Sequence, residues 1–530
     1  MALRVNFNFE AAATHTAILS NERDMNKSLL RLSTGLRILN AADDSAGLFI
    51  ADQLMVVGSG LEEGNRNIQT GLSALRIAES SAGQIFNRLN EIYKRTVRAA
   101  NDINDPNARA SLQREIDNFI DAIKKIGTDT EYNGIKLLDG TFADRVIHYG
   151  ARQDQTLEID INSLLPNHIG AYLTKGQGAR YISAATTSTN FGALLSTSSQ
   201  WLVDSGDYID VAGIRVLSYD GTQRFVDART LAQNINNNKD LQAVGIEAFA
   251  KNTNHADAVY TNFANFWSAA VNGSISAATL YFYVGNVIAS TSTSFNFSVT
   301  IDNSVTSVQQ LVERINTAAS GASAPISAKV VNNRVFLETN NGETIAVQVA
   351  VAGANISNGV TVRLGQILEG AGNVNFTATT NVYAYYIDVG TVDIAGVETY
   401  KIEYSGVSET SAGFNFNLST GANANARNLY AVNVLTNQQA EESMLIVKKA
   451  LQRVDIVRAQ IGAVMNNLQS IYDSQKVALD NTREAENVIR NTDYAEEMTN
   501  FVKLQIKMQS SMAMLAQANQ LPQLVLQLLR

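Results

Sequence analysis

Val447-Lys448-Lys449-Ala450-Leu451-Gln452-Arg453-Val454-Asp455-Ile456-Val457, continuing to Leu468 and Ile471, is the stretch that decides the architecture. Val447, Val454, Ile461 and Leu468 recur every seven residues, and Ala450, Val457, Val464 and Ile471 follow each of them three positions on. Such a double series is an a/d seam, which is stable only when buried against partner helices. Near the other end Leu61, Ile68, Leu75, Ala82 and Leu89 make one series, and Val57, Gly64, Gly71, Ala78, Ile85 and Ile92 the other. The simplest partner for each end is the other end. The spacing therefore predicts an antiparallel α-helical coiled-coil core formed by the N- and C-terminal regions.

Between the two seams the chemistry changes. Over residues 180–421 charges thin out while Thr, Ser, Asn, Val and Tyr become frequent, a composition suited to pleated, half-buried strands. The fold class expected is α+β multidomain: a helical core with an inserted, mainly β middle region in one or two domains. That region contains an internal repeat. Leu231-Ala232-Gln233-Asn234-Ile235-Asn236 matches Leu311-Val312-Glu313-Arg314-Ile315-Asn316 at an offset of 80, and strand-like sequence flanks each copy. Two strand–helix–strand units follow.

Working outward, Ile18, Met25, Leu32 and Leu39 carry a further heptad with Leu29 and Leu36, and the helix is expected to break near Asn40-Ala41-Ala42-Asp43-Asp44. Asp43, Asp44 or Ser45 can cap the next helix, expected over residues 46–100. Asp105 with Pro106 predicts a second start, and Leu112, Ile116, Phe119, Ile123 and Ile126 a third apolar stripe. Tyr132-Asn133-Gly134-Ile135-Lys136-Leu137-Leu138 reads as a hairpin. Gly64 and Gly71 lie on a core-facing stripe, where glycine costs about 1 kcal/mol against alanine, so close approach of another helix is expected there. The last helix starts near Asp493 and carries Phe501, Leu504, Met508 and Leu515, and the chain closes on Leu521 to Arg530, apolar enough to need a partner surface.

The chemistry-bearing residues are sparse. The four histidines His15, His148, His168 and His255 have no metal-ligand spacing, and no phosphate loop or nucleophile elbow is present, which argues against an enzyme, a metal or any cofactor. Asp43-Asp44 and Glu441-Glu442 read as caps or solvated faces, and Trp201 and Trp267 as core. With no cysteine there is neither disulfide nor thiolate chemistry, and a net charge of −9 disfavours nucleic acid or an anionic membrane as partner. Met1-Ala2-Leu3-Arg4-Val5-Asn6 lacks the pattern of a cleavable secretory signal.

Ser28-Leu29-Leu30-Arg31-Leu32-Ser33-Thr34-Gly35-Leu36-Arg37-Ile38 and Asn40-Ala41-Ala42-Asp43-Asp44-Ser45-Ala46-Gly47-Leu48 resemble bacterial flagellin, as do Asn65-Arg66-Asn67-Ile68-Gln69-Thr70-Gly71 and the Tyr132–Leu138 hairpin. Arg483-Glu484-Ala485-Glu486-Asn487-Val488-Ile489-Arg490-Asn491-Thr492-Asp493-Tyr494 and Val525-Leu526-Gln527-Leu528-Leu529-Arg530 resemble that family's C-terminal signature. The resemblance implies an extracellular filament subunit that self-assembles for motility and leaves the cell unfolded through a type III channel, which an absence of cysteine suits. It implies that residues 1–45 with 490–530 form an inner tube, 46–179 with 422–489 a surrounding helical bundle with a hairpin, and 180–421 the outer domains. The self-assembly residues it implies are Leu29, Arg31, Leu32, Leu36, Arg37, Asp43 and Asp44, with Phe501, Leu504, Met508, Leu515, Leu528 and Arg530. Its partners would be further copies of the chain, an export chaperone at the C-terminal helix, and hook-associated and cap proteins.

In flagellins detected by the animal innate receptor, the matching patch carries arginine where this chain has Glu91 and leucine where it has Arg95; Leu89 and Asn90 lie in the same patch, and Glu115 matches the acidic contact. Poor receptor activation is expected. The competing readings are a hook–filament junction protein, a non-filament coiled-coil protein of a related secretion system, and a flagellin with an enzymatic middle domain. The match at both termini favours the filament subunit.

Overall fold

The computed structural model describes residues 8–528 apart from 102, 177, 184–185, 187–190, 192–202, 204, 222–224, 270–274, 286–294, 353–358, 378–381 and 406–423, with the backbone alone over 521–528. Trp201, the Leu528 side chain and Arg530 lie outside the described residues. The principal helices are α1 (Phe9–Thr34), α2 (Ser45–Ala99), α3 (Pro106–Asp129), α4 (Ala228–Asn237), α5 (Val308–Gly321), α6 (Asn437–Arg490) and α7 (Tyr494–Leu528). They are distributed over two compact units: Met1–Ser81 with Thr130–Asn162 and Arg458–Arg530, and Ala82–Asp129 with Ser163–Val457.

In the first unit α1 is capped by Asn8, whose side chain accepts from Ala11 N at 3.1 Å. It ends earlier than the heptad suggests. Gly35 adopts φ 74° and returns its N–H to Arg31 O, a left-handed cap that glycine takes without strain. Leu36 and Leu39 are therefore not helical: Leu36 bridges to Asn491, and Arg37 N donates to Arg490 O at 2.8 Å. Of the two aspartates, Asp44 caps α2 through Gly47 N at 2.9 Å, whereas Asp43 accepts from Leu39 N and pairs with Lys27 Nζ at 2.7 Å.

The lower parts of α2 and α6 run antiparallel, tied by Glu79–Arg458 at 2.9 Å, Gln69–Tyr472 at 2.9 Å and Glu62–Arg483. Leu61, Ile68, Leu75 and Ala78 on α2 and Ile461 and Leu468 on α6 are buried, so the seam is a core as its spacing requires. Gly64 and Gly71 do mark a close approach, but of a strand hairpin rather than a helix. Arg145–His148 pairs with Thr156–Ile159, and this hairpin lies so close to α2 that a Cβ on Gly64 would meet Tyr149 O and one on Gly71 would meet Ile147 Cδ1. The Glu131–Tyr132 and Ile135–Lys136 strands form the expected hairpin over Asn133 and Gly134, both at positive φ.

In the second unit Asp105 caps α3 from Ala108 N at 2.6 Å. Its buried stripe is Leu112, Ile116, Ile120, Ile123 and Gly127. Phe119 and Ile126, expected in that stripe, are half-buried. Phe119 sits under the guanidinium of Arg95, 4.6 Å from the ring centroid, so its face serves a cation rather than the core. The middle region is built around one antiparallel sheet with strand order Phe297–Asp302, Ala277–Val284, Ile345–Ala352, Tyr383–Asp388 and Arg180–Ile182. Because alternate side chains point to opposite faces, one sheet serves two cores. Phe282, Val284, Val347, Val349 and Tyr386 face a cluster containing α5; Tyr283, Ala346, Tyr385 and Ile387 face another containing α4.

The two sequence repeats thus contribute helices to the two clusters on opposite sides of that sheet, and their local chemistry is the same. Asp227 caps α4 and Ser307 caps α5. Asn236 Nδ2 donates to Ala248 O at 2.7 Å and its Oδ1 accepts from Ala248 N at 2.8 Å. Asn316 does the same to Ala328 at 2.8 and 2.7 Å. Each repeat asparagine therefore fixes the strand that follows its helix at the same distance along the chain. Trp267 is half-buried against the α5-side cluster.

The first part of α6 is fastened to this region by charge. Glu441 and Glu442, which the sequence suggests are solvated, pair with Lys251 at 3.0 Å and Lys175 at 2.7 Å. Lys449 is fully buried, its Nζ donating to Gly245 O and Gln452 Oε1 at 3.0 Å and lying 3.5 Å from Glu247. Burial pulls its ammonium pKa down, against the attraction of Glu247.

Candidate functional site

The surface least accounted for by intrachain packing lies on α1 and α7. The two helices are antiparallel: Asn8 Nδ2 donates to Ala518 O at 2.8 Å, Asn21 Nδ2 to Ser511 Oγ at 3.0 Å, and Arg31 approaches Glu497 at 3.8 Å. Asp493 starts α7 by accepting from Ala495 N at 2.9 Å. Phe501, Leu504, Met508 and Leu515 are half-buried, at the 3–4 residue spacing of one helical face. Ser28 is buried, and Arg31 and Leu32 are half-buried on α1. The terminal stripes thus have an intrachain mate in each other.

That pairing leaves a second apolar set in water. Met498, Val502, Ile506 and Met512 on α7 are about half exposed or more, the largest value being 61% at Ile506. At 100° per residue these four fall within one sector of the helix, beside the face turned to α1. On α1 Phe9, Leu19, Leu29 and Leu30 are likewise exposed. The sequence periodicity found the packed face; the adjoining exposed face, with Met498, Val502 and Ile506 four residues apart, was missed.

The second group of named residues sits on α2 and α3. Arg95 Nε donates to Glu115 Oε2 and its Nη1 to Glu91 Oε2, both at 2.7 Å, while Lys94 Nζ reaches Glu91 Oε1 at 2.8 Å. The Lys94 ammonium, with the Arg95 guanidinium, holds the Glu91 carboxyl below its ordinary value. Glu115 is thus already engaged within the chain. Leu89 is fully buried, so Asn90, Glu91, Arg95 and Glu115 are the members of this patch nearer the surface.

Elsewhere the titratable groups are structural. Asp388 is buried at the end of its strand in the central sheet, accepting from Asn254 Nδ2 at 2.6 Å and Arg180 Nε at 3.2 Å, with Glu369 bound to the same arginine at 2.8 Å. Burial pushes its carboxyl up to about 6, against the pull of Arg180 and Asn254. Among the described residues, the grouping of metal-ligand type is Asp144, Glu158 and Asp160, all exposed. His168 contacts Ser163 Oγ at 3.3 Å and the His255 ring packs edge-on to Phe336.

The two ends of the chain match family profiles described as the bacterial flagellin N-terminal helical region, over residues 5–143, and the bacterial flagellin C-terminal helical region, over 444–529. A flagellin of Aquifex aeolicus is 45% identical over 543 aligned positions that span the whole of both chains. The chain belongs to the bacterial flagellin family. A flagellin of Aquifex pyrophilus is 46% identical, again over both whole chains. The FliC protein of Burkholderia pseudomallei covers 75% of this chain and 99% of its own at 16% identity, with a TM-score of 0.29, a likeness too weak to argue from.

As a flagellin the chain is a structural subunit, not an enzyme, and it self-assembles into the extracellular flagellar filament. The α+β multidomain fold with helical terminal regions agrees with the expectation from sequence. The junction-protein reading is not favoured, because full-length curated flagellins match from end to end. No described helix is long and apolar enough to cross a membrane.

Proposed function

We propose that α1 and α7, within residues 1–45 and 490–530, line the inner tube of the filament and make its principal subunit contacts. The helices of 46–179 and 422–489 surround them, and 180–421 projects outward. What supports this is the exposed apolar sector Met498–Val502–Ile506–Met512, which intrachain pairing leaves in water. Leu29 extends the same contact on α1; Arg31, Leu32, Phe501, Leu504, Met508 and Leu515 hold the α1–α7 pair; Leu36, Arg37, Asp43 and Asp44 shape the turn beside it. The Leu528 side chain and Arg530, which the family resemblance also assigns to self-assembly, lie outside the described residues.

Before export the same apolar α7 surface is the natural seat of a chaperone, and hook-associated and cap proteins meet it at the filament ends. Electron microscopy of seeded monomer tests the reading: the full chain should grow long filaments and a chain lacking 490–530 none. Growth by the truncated chain would overturn it.

The α2–α3 patch is proposed to be poorly recognised by the animal innate receptor. Its support is charge reversal at Glu91 and the engagement of Glu115 by Arg95. Such changes at a buried hot spot cost about 2 kcal/mol or more. A cell reporter responding to this chain as strongly as to a recognised flagellin would refute it.

A further inference from the structure

Of the nine methionines, four fall within seventeen residues of α7: Met498, Met508, Met512 and Met514. Met508 is half-buried toward α1, while Met498, Met512 and Met514 are 50%, 53% and 55% exposed. Helices are amply stable with leucine at such sites, and leucine is the common residue elsewhere on these two helices. The chain has no cysteine, so its thioethers are the sulfur groups open to oxidation by a peroxide. Their exposure on α7 contrasts with the fully buried side chains of the central sheet.

We infer that Met498, Met512 and Met514 form an oxidation site that switches subunit addition off in the free monomer and is shielded in the filament. A hydroperoxide supplies the oxygen. The methionine sulfur attacks it, the peroxide O–O bond breaks, a sulfoxide S–O bond forms, and water (or an alcohol) leaves. Sulfur loses two electrons and the peroxide gains them. The product is a polar sulfoxide in place of a flexible apolar side chain; at Met498 and Met512 it is placed on the sector that carries Val502 and Ile506, while Met514 lies on another face of α7. Burying that sulfoxide against a second copy leaves a strong acceptor unpaired in an apolar contact, whereas the free monomer keeps it in water at no such cost. A thiol-driven sulfoxide reductase returns the thioether, so the block is reversible.

This inference rests on α7 being the assembly surface. The experiment treats full-length monomer and preformed filament with hydrogen peroxide, maps oxidised methionines by peptide mass spectrometry, and measures seeded elongation. Expected are rapid oxidation of Met498, Met512 and Met514 in monomer, at least tenfold slower oxidation in filament, and at least tenfold slower elongation by oxidised monomer. Reductase with a thiol should restore elongation, and M498L/M512L/M514L monomer should elongate after peroxide as before it.

Oxidised monomer that elongates normally, with filament methionines still protected, overturns the switch and leaves the α7 assembly surface standing. Equal oxidation rates in monomer and filament overturn both. If the leucine variant does not elongate untreated, reductase rescue of the wild-type chain decides alone: no recovery after the sulfoxides are reduced overturns the switch.

Discussion

Val347, in the central sheet, is fully buried, whereas Ile506 on α7, just as branched and just as apolar, is 61% exposed. The contrast extends to their surroundings. The sheet buries its two faces in two hydrophobic clusters, one that includes α4 and one that includes α5, and its strands find their neighbours within the chain. The α1–α7 pair buries one sector of each helix and leaves a second apolar sector in water. Two long helices side by side can cover only one face of each other, so an apolar circumference on such a pair is incomplete without other copies. A sheet with a helix layer on either side closes its own core.

Changes aimed at each region should separate them. The largest effect on assembly is expected from V502D/I506D. Two carboxylates in the exposed α7 sector should slow seeded elongation at least about a hundredfold, the equivalent of about 3 kcal/mol. Denaturant unfolding of the middle region should be unchanged. Normal elongation would erase the distinction between the two regions. Phe282→Ala should do the reverse. Fully buried on the α5 side of the sheet, Phe282 should cost about 3–5 kcal/mol in denaturant unfolding of the middle region, with the α1–α7 pair unaffected in its helical circular dichroism.

A pH titration sharpens the comparison further. The Asp388 carboxyl titrates at about 6 folded against 3.8 as the ordinary value. A raised pKa means the folded state holds the proton more tightly, so this contribution is fully present below 3.8 and lost as pH rises through about 6. The shift of about two units corresponds to roughly 3 kcal/mol at most. Denaturation midpoints of the middle region should fall between pH 4 and 7, and Asp388→Asn should flatten that slope. An identical slope in the variant would assign the effect elsewhere. Smallest, Asn236→Ala and Asn316→Ala should each cost about 1–3 kcal/mol, since each leaves a strand amide and carbonyl unpaired. Similar values would establish that the two repeats are energetically equivalent; a large difference would make their likeness merely geometric.

How much of this was readable beforehand depends on the range of each interaction. The Val447–Ile471 and Leu61–Leu89 seams were legible because helical burial repeats within a few residues, and so was the Asn133–Gly134 hairpin. The end of α1 was misplaced because apolar periodicity runs on past Gly35, while one left-handed residue suffices to stop the helix. Gly64 and Gly71 announced a close approach but not its partner, since the Arg145–Ile159 hairpin lies far along the chain. Phe119 reads as a core residue by spacing, and only the position of Arg95 across the α2–α3 turn shows its ring in another use.

The residues alone determined the helical termini, the β-rich insertion, the repeat and, through the terminal motifs, the family, because all of these are written in short-range order. Tertiary structure decided that the two repeats join clusters on opposite sides of one sheet, that Asp388 is buried, and which sector of α7 faces α1 and which faces water. Those outcomes depend on strand pairing and helix packing between segments hundreds of residues apart, where no local period records the partner.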